Sequence, residues 1–287
     1  MPGRSTAVLI TGCSSGIGRA TAERLAASGW RVYASARRLE AIAELADRGC
    51  RTLALDVCDE QSMAEAVRTV ADAEGAVGVL VNNAGYSQSG AVESVPIERI
   101  RRQFETNVFG LIRMCQLVAP GMRAQRWGRI VNIGSMGGKL TFPGGGVYHA
   151  TKYAIEALSD ALRFELRGFG IDVSLVEPGL IRTRFGEAAS ASISAATPED
   201  EGSSGPYSQF NRQVARITEE AYEGTLARLG AGPQAVAETI ATALSAKRPK
   251  PRYPVTASAR LLINQRRLMP DRAWDLAMRR QFPTPRV

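Results

Sequence analysis

Short, unbroken apolar runs alternate along most of this chain with stretches whose apolar residues recur every three or four positions. Ala7-Val8-Leu9-Ile10 is the first run, short and branched enough to be a buried strand. Residues 19–28 carry Ala20, Leu25 and Ala26 at helical spacing and stop at Gly29, a good helix terminator. The alternation continues with a second strand at 31–36, a helix containing Ile42 and Leu45, and a third strand at 52–57. Val79-Leu80-Val81 is the fourth strand, and residues 128–134 and 171–176 read as the fifth and sixth. Between them, Pro96 opens a long helix through Phe104, Val108, Leu111 and Leu117, and Tyr148 begins another through Ile155, Leu158, Leu162 and Leu166. Strand and helix repeated six times with short links predict an α/β fold, a parallel sheet wound on both faces. Ligands of such a sheet lie beyond the carboxyl ends of its strands.

Past Thr183 the pattern changes. Residues 187–205 are rich in Ala and Ser with little apolar periodicity and read as a mobile segment beside the site, a lid. Helical spacing returns at 210–229 and 233–244, and two further apolar-periodic pieces lie around Leu261-Leu262 and Trp274-Asp275-Leu276. At 287 residues and 45% hydrophobic composition the chain can bury one large core. We expect a single domain: a core at 5–185, a helical lid at 186–230 and a basic extension at 245–287. No apolar run reaches the roughly 18 residues of a membrane span, and no signal-type segment opens the chain, so a cytoplasmic location is expected.

The net charge of +8 suggests nucleic acid until it is divided along the chain. Residues 245–287 hold eleven Lys/Arg against Asp271 and Asp275, or +9, which leaves −1 for the rest. A tail-localised charge argues against a nucleic-acid-binding core. It is either a solvated basic face or a contact for an anionic membrane or an acidic partner. Cys13, Cys50, Cys58 and Cys115 lack metal-site spacing, and His149 is the single histidine, so neither a zinc site nor a Ser-His-Asp triad is expected.

Chemistry concentrates where strands give way to turns. Thr11-Gly12-Cys13-Ser14-Ser15-Gly16-Ile17-Gly18 joins a strand to a helix, so backbone N–H groups and the positive end of a helix converge where a pyrophosphate can sit. At the end of the second strand, where an acidic residue would bond a ribose 2′-hydroxyl, the chain has Arg37-Arg38, which favours a 2′-phosphate and hence NADP over NAD. Asp56, closing the third strand, either bonds the adenine edge or caps the following helix. Asn82-Asn83-Ala84-Gly85 puts small residues and amides at the edge of a cofactor crevice. Asn107, amid apolar residues in mid-helix, is locally unfavourable and so suggests a purpose. Tyr148 and Lys152 stand four residues apart at a helix start, on one face, where an ammonium can lower the pKa of a phenol.

Taken together, these motifs resemble the short-chain dehydrogenase/reductase family over about residues 5–185. The glycine turn resembles its TGxxxGxG, residues 82–85 its NNAG, Ser135 with Tyr148 and Lys152 its Ser…YxxxK, and Pro178-Gly179-Leu180-Ile181-Arg182-Thr183 its PG loop. The resemblance implies a Rossmann fold and hydride transfer between NADP(H) and a carbonyl or alcohol carbon. Tyr148 would be the general acid or base. Lys152, together with the positive charge of the oxidised nicotinamide, would depress its pKa and would bond the nicotinamide ribose, Ser135 would bond the substrate oxygen, and Asn107 would hold a water linking Lys152 to solvent. Gly12, Ser14, Ser15, Gly16, Ile17 and Gly18 would cradle the pyrophosphate, and Asn83, Ala84 and Gly85 would line the crevice. The resemblance also implies Arg37 at the 2′-phosphate, Asp56 and Val57 at the adenine, and Pro178, Gly179, Ile181 and Thr183 along the nicotinamide. The turn wording and the lid are similar to members acting on steroid, retinoid or other bulky lipophilic substrates, and the family implies a homo-oligomer, dimer or tetramer. His149 departs from the small residue usual there and either faces substrate or a subunit contact or packs inside. The competing reading is a cofactor-binding regulator that keeps the fold without turnover.

Overall fold

The computed structural model describes residues 4–194, 205–223, 228–282 and 284–285. Its centre is a seven-stranded, wholly parallel sheet in the order β3-β2-β1-β4-β5-β6-β7. The strands are β1 (Val8–Ile10), β2 (Val32–Ala36), β3 (Arg51–Ala54), β4 (Val79–Asn82), β5 (Gly128–Ile133), β6 (Ile171–Glu177) and β7 (Arg252–Pro254). Alternate side chains feed opposite faces. Leu9 and Leu80 enter a core with Met63 and Val70 of α2 (Glu60–Glu74), Met114 of α4 (Gly110–Ala124) and Ile155 of α5 (Gly146–Arg167). Val8, Ile10, Val79 and Val81 enter the other, against Ala22 and Leu25 of α1 (Gly16–Ala27) and Val236 and Ile240 of α8 (Pro233–Ser245). Both faces being covered explains why these strands read as continuous apolar runs.

Four departures from the sequence reading bear on the site. The helix of Ile42 and Leu45 is a tight 3₁₀ segment, Leu39–Leu45. The long helix after Pro96 is not continuous: α3 (Ile97–Phe104) passes through a π-helical turn, Glu105–Phe109, into α4, and Asn107 sits in that widened turn. Residues 187–205, read as a mobile segment with little apolar periodicity, open within a helix, α6 (Phe185–Ser194), and 195–204 lie outside the described residues. Finally the basic extension contributes β7, which pairs with the edge of β6 at Leu175, Val176 and Glu177. After it come α9 (Ala257–Leu268) and α10 (Asp271–Gln281). With α7 (Ser208–Glu223), these helices form two small apolar clusters around Phe142, beside the carboxyl ends of β5 and β6.

Candidate active site

The strand order reverses between β1 and β4, and the glycine turn leaves β1 there. Gly12 and Gly16 adopt positive φ (74° and 59°), which favours glycine. A Cβ on Gly12 would meet the Ala84 Cα at 2.9 Å, and one on Gly18 would lie 2.4 Å from the Gly12 carbonyl oxygen. These contacts press the turn against residues 83–84. Thr11, the first residue of the motif but given no role in the sequence, locks the join: its Oγ1 accepts from the N–H groups of Asn83 and Ala84, each at 3.0 Å. Asn83 answers through Nδ2, donating to the carbonyls of Thr11 and Gly12 at 2.9 and 3.0 Å. The first turn of α1 carries no acidic residue, and its N-cap Ser15 spends no side-chain hydrogen bond on capping. A cradle that side chains would fill, ahead of an uncapped helix start, fits a dinucleotide pyrophosphate.

The other cofactor candidates ring this turn. Thr183 Cγ2 would touch a Cβ on Gly16 at 3.4 Å. Arg37 is exposed just past β2, with Ser14 also exposed and Ile17 partly packed on the core. Asp56 does not cap α2; its Oδ1 accepts from Cys58 N, and the cap is Asp59, which accepts from Gln61 N and Ser62 N. Buried Val57 supports the start of α4, where a Cβ on Gly110 would lie 2.5 Å from the Val57 carbonyl oxygen. Ile181 forms an isolated bridge with Ala231, and a Cβ on Gly179 would collide with Thr256 Oγ1 at 2.2 Å. The carbonyl of Pro178 accepts from Met136 N at 2.8 Å, tying the PG loop to the loop of Ser135.

Ser135 lies two residues past the end of β5 and caps a short 3₁₀ turn, Met136–Gly138. Its hydroxyl lies near enough to Tyr148 to pull the phenol pKa down, but burial dominates and pushes it well up, with Tyr222 nearby acting in the same direction. Lys152 is buried and donates to the Ile133 carbonyl at 2.8 Å, with Nζ 5.7 Å from the Tyr148 ring centroid. Desolvation lowers its pKa to about 8. Lys152, expected to lower the tyrosine pKa with the help of an oxidised nicotinamide, does not do so alone. In the protein alone the phenol is held neutral, because both groups are dry and the ammonium is spent on a carbonyl.

Asn107 accepts from Tyr86 N at 3.1 Å and donates to Tyr86 O at 3.0 Å and Thr151 Oγ1 at 3.1 Å. Its side chain thus clamps the segment after β4 to the helix of Tyr148, one residue before Lys152. Gly85 leaves the room, since a Cβ there would lie 3.1 Å from Asn107 Oδ1. His149 packs inside: Nδ1 lies 3.0 Å from Gly137 O, and Nε2 accepts from Phe142 N at 3.3 Å. That pattern fits a neutral ring carrying its proton on Nδ1, and burial lowers its pKa accordingly. Above the phenol lie Phe185, with ring centroids 5.5 Å apart, and Tyr222. Neither had a signal in the sequence, because their helices have no fixed register to the motifs.

A dinucleotide cradle at a strand-order switch, near a half-buried tyrosine and serine and a buried lysine, is the arrangement of a Rossmann-class oxidoreductase. The chain belongs to the short-chain dehydrogenase/reductase family: the family profile described as short chain dehydrogenase matches residues 6–193. It is 35% identical over 274 residues to the 3-ketodihydrosphingosine reductase of Bacteroides thetaiotaomicron, a match covering 95% of this chain and 96% of that one. To the NADPH-dependent 3-dehydrocapnine reductase of Ornithobacterium rhinotracheale it is 34% identical over 276 residues, covering 93% and 94%. The solved short-chain dehydrogenase from Streptomyces avermitilis superposes with a TM-score of 0.75 at 32% identity, over 91% of this chain and 92% of the other.

Proposed function

We propose that this protein is an NADPH-dependent reductase that converts a ketone or aldehyde on a medium to bulky apolar molecule into an alcohol. The observation that carries the reading is Tyr148, a phenol kept neutral by burial, beside Ser135 and against the ring of Phe185. The bound cofactor supplies the hydride. Tyr148 donates its proton to the carbonyl oxygen, and Ser135 stabilises the charge that develops on that oxygen. A phenol kept neutral by burial is the form a reduction needs. Lys152 sits where its charge can support the phenolate left behind, and the clamp of Asn107 fixes that helix face. Arg37, exposed with no carboxylate ahead of it on β2, favours a 2′-phosphate. Two relatives whose names carry a reductase activity support the direction, and one of those names specifies NADPH. The apolar wall of Met136, Phe142, Leu180, Phe185 and Tyr222 supports the substrate class.

The test is a panel of carbonyl compounds followed by NADPH absorbance, with Tyr148→Phe beside the parent. The expected result is turnover of apolar ketones that falls by about 10²–10⁴ in the variant while NADPH binding is retained. No turnover by the parent protein across the panel overturns the reading and leaves a cofactor-binding regulator.

A further inference from the structure

The two C-terminal helices have an inner and an outer face of different character. Inward, Ala259, Leu262 and Ile263 of α9 pack with Met136, Leu180 and Tyr222, and Trp274 of α10 lies against Phe142 with ring centroids 6.1 Å apart. Outward, Leu261 and Leu268 stand seven residues apart on one stripe of α9, 57% and 84% exposed. Leu276 is 54% exposed on α10, with Arg272, Arg279 and Arg280 within one turn of it. Arg260 and Arg267 run beside the leucines of α9. All five arginines are exposed, and among the described residues none of their side chains has a hydrogen bond or ion pair. Arg266 differs: it stacks over Trp274 at 5.5 Å and pairs with Asp271 at 2.6 Å. Asp275 is the one carboxylate left to oppose the five.

We infer that this outer face docks on an anionic lipid surface. Leucines at the centre of an arginine field match an interface in which apolar tips enter the acyl boundary while guanidinium groups meet phosphates. A second copy of the chain would set five arginines against five. An acidic protein would answer the arginines but not the leucine stripe. Docking is peripheral, because no helix among the described residues is long and apolar enough to cross a membrane. The inner face of the same helices packs on Met136, Leu180, Tyr222 and Phe142, so docking holds those apolar side chains against a reservoir of apolar molecules. This last consequence rests on the proposed substrate class; the docking itself does not.

Co-sedimentation of the full-length protein with phosphatidylcholine vesicles, and with equal mixtures of phosphatidylcholine and phosphatidylglycerol, tests the inference. The expected result is pelleting with the mixed vesicles only, reversed by salt. An arginine near such a surface is worth about fivefold in partitioning, so Arg272→Glu, Arg279→Glu and Arg280→Glu together should weaken it by at least about a hundredfold. Leu261→Ser, Leu268→Ser and Leu276→Ser together should weaken it by about tenfold or more. Retained NADPH affinity and an unchanged far-ultraviolet spectrum certify the fold of each variant. Equal pelleting with both vesicle types, none with either, or undiminished pelleting of either triple variant overturns the docking face. Binding to polyglutamate without vesicle binding overturns it in favour of an acidic protein. Turnover of a soluble ketone, measured separately, reports on the substrate reading alone, so each idea can fail without the other.

Discussion

Arg252→Met keeps a linear apolar stem and deletes a guanidinium that gathers three carboxylates at the foot of β7. Arg252 meets Glu156 at 3.0 Å and Asp160 at 2.6 Å on α5, and Glu177 at the end of β6 at 3.8 Å. Glu156 and Glu177 are both buried, and Lys139 would be the cation left to Glu156, at 2.6 Å. Removing one partner of a buried ion pair costs on the order of 3–5 kcal/mol. The arginine side chain is 30% exposed and that of Asp160 46%, so the low end, about 3 kcal/mol, applies. For a chain of this size that is roughly 6–12 °C in melting temperature. The sign of the pH dependence follows from the carboxyls. Burial and the neighbouring Glu156 push the pKa of Glu177 upward, so it contributes stability at low pH that is lost as pH rises. Asp160 is held at about 2 by Arg252, a contribution fully present above the ordinary carboxylate range and lost only in strong acid. Without Arg252, Glu177 takes up a proton more readily, so the deficit is largest near pH 8 and shrinks toward pH 5. Thermal denaturation at several pH values, with Arg252→Met/Glu177→Gln alongside, checks this; the second change should restore part of the loss near pH 8. A deficit below about 0.5 kcal/mol, or one of equal size near pH 5 and pH 8, refutes the reasoning.

Other expectations follow from the site. Lys152 has its pKa lowered to about 8, so keeping it charged near neutrality costs the fold on the order of 3 kcal/mol, a cost that vanishes once the unfolded lysine has also lost its proton at high pH. Lys152→Met should therefore melt higher near pH 7, with the gain fading toward pH 10, while turnover falls; a variant that melts lower near pH 7 contradicts this. Arg37→Asp should weaken NADPH and improve NADH, read as the ratio of the two kcat/KM values; an unchanged ratio means that Arg37 makes no contact with the cofactor. Gly18→Ala places a Cβ 2.4 Å from a backbone carbonyl and 2.5 Å from Asn83 Nδ2, so it should cost about 1–3 kcal/mol and weaken NADPH binding. Full cofactor affinity in that variant, by calorimetry, would count against the tight turn.

The strands of the core and the glycine turn were legible because each is written locally. Val79-Leu80-Val81 can be buried on both faces only as a strand, and Gly12 and Gly18 mark close backbone approaches. Features made by distant partners were hidden. β7 is Arg-Tyr-Pro in a basic, proline-rich stretch, and it is a strand because the free edge of β6 accepts it and an edge tolerates Pro254. α6 lacks a periodic stripe but is rich in alanine, and Ala189 and Ile193 find burial in tertiary contacts. The π turn around Asn107 keeps helical periodicity on either side, so only the misplaced amide marked it. Spacing put Tyr148 and Lys152 on one face, but the ammonium turns to Ile133 O, a choice no spacing encodes.

The seventh strand also bears on how this chain behaves when shortened. The basic region looks like an appendage whose removal would only lower the charge. Yet β7 covers the backbone edge of β6 through Leu175–Glu177, and Leu175 N donates to Pro251 O at 2.9 Å. A chain stopped at Ser245 would present that edge uncovered, next to two buried glutamates short of a cation. Its characteristic failure would be edge-to-edge association of one sheet with another, so insolubility on truncation would report an unsealed sheet and carry no information about lipid.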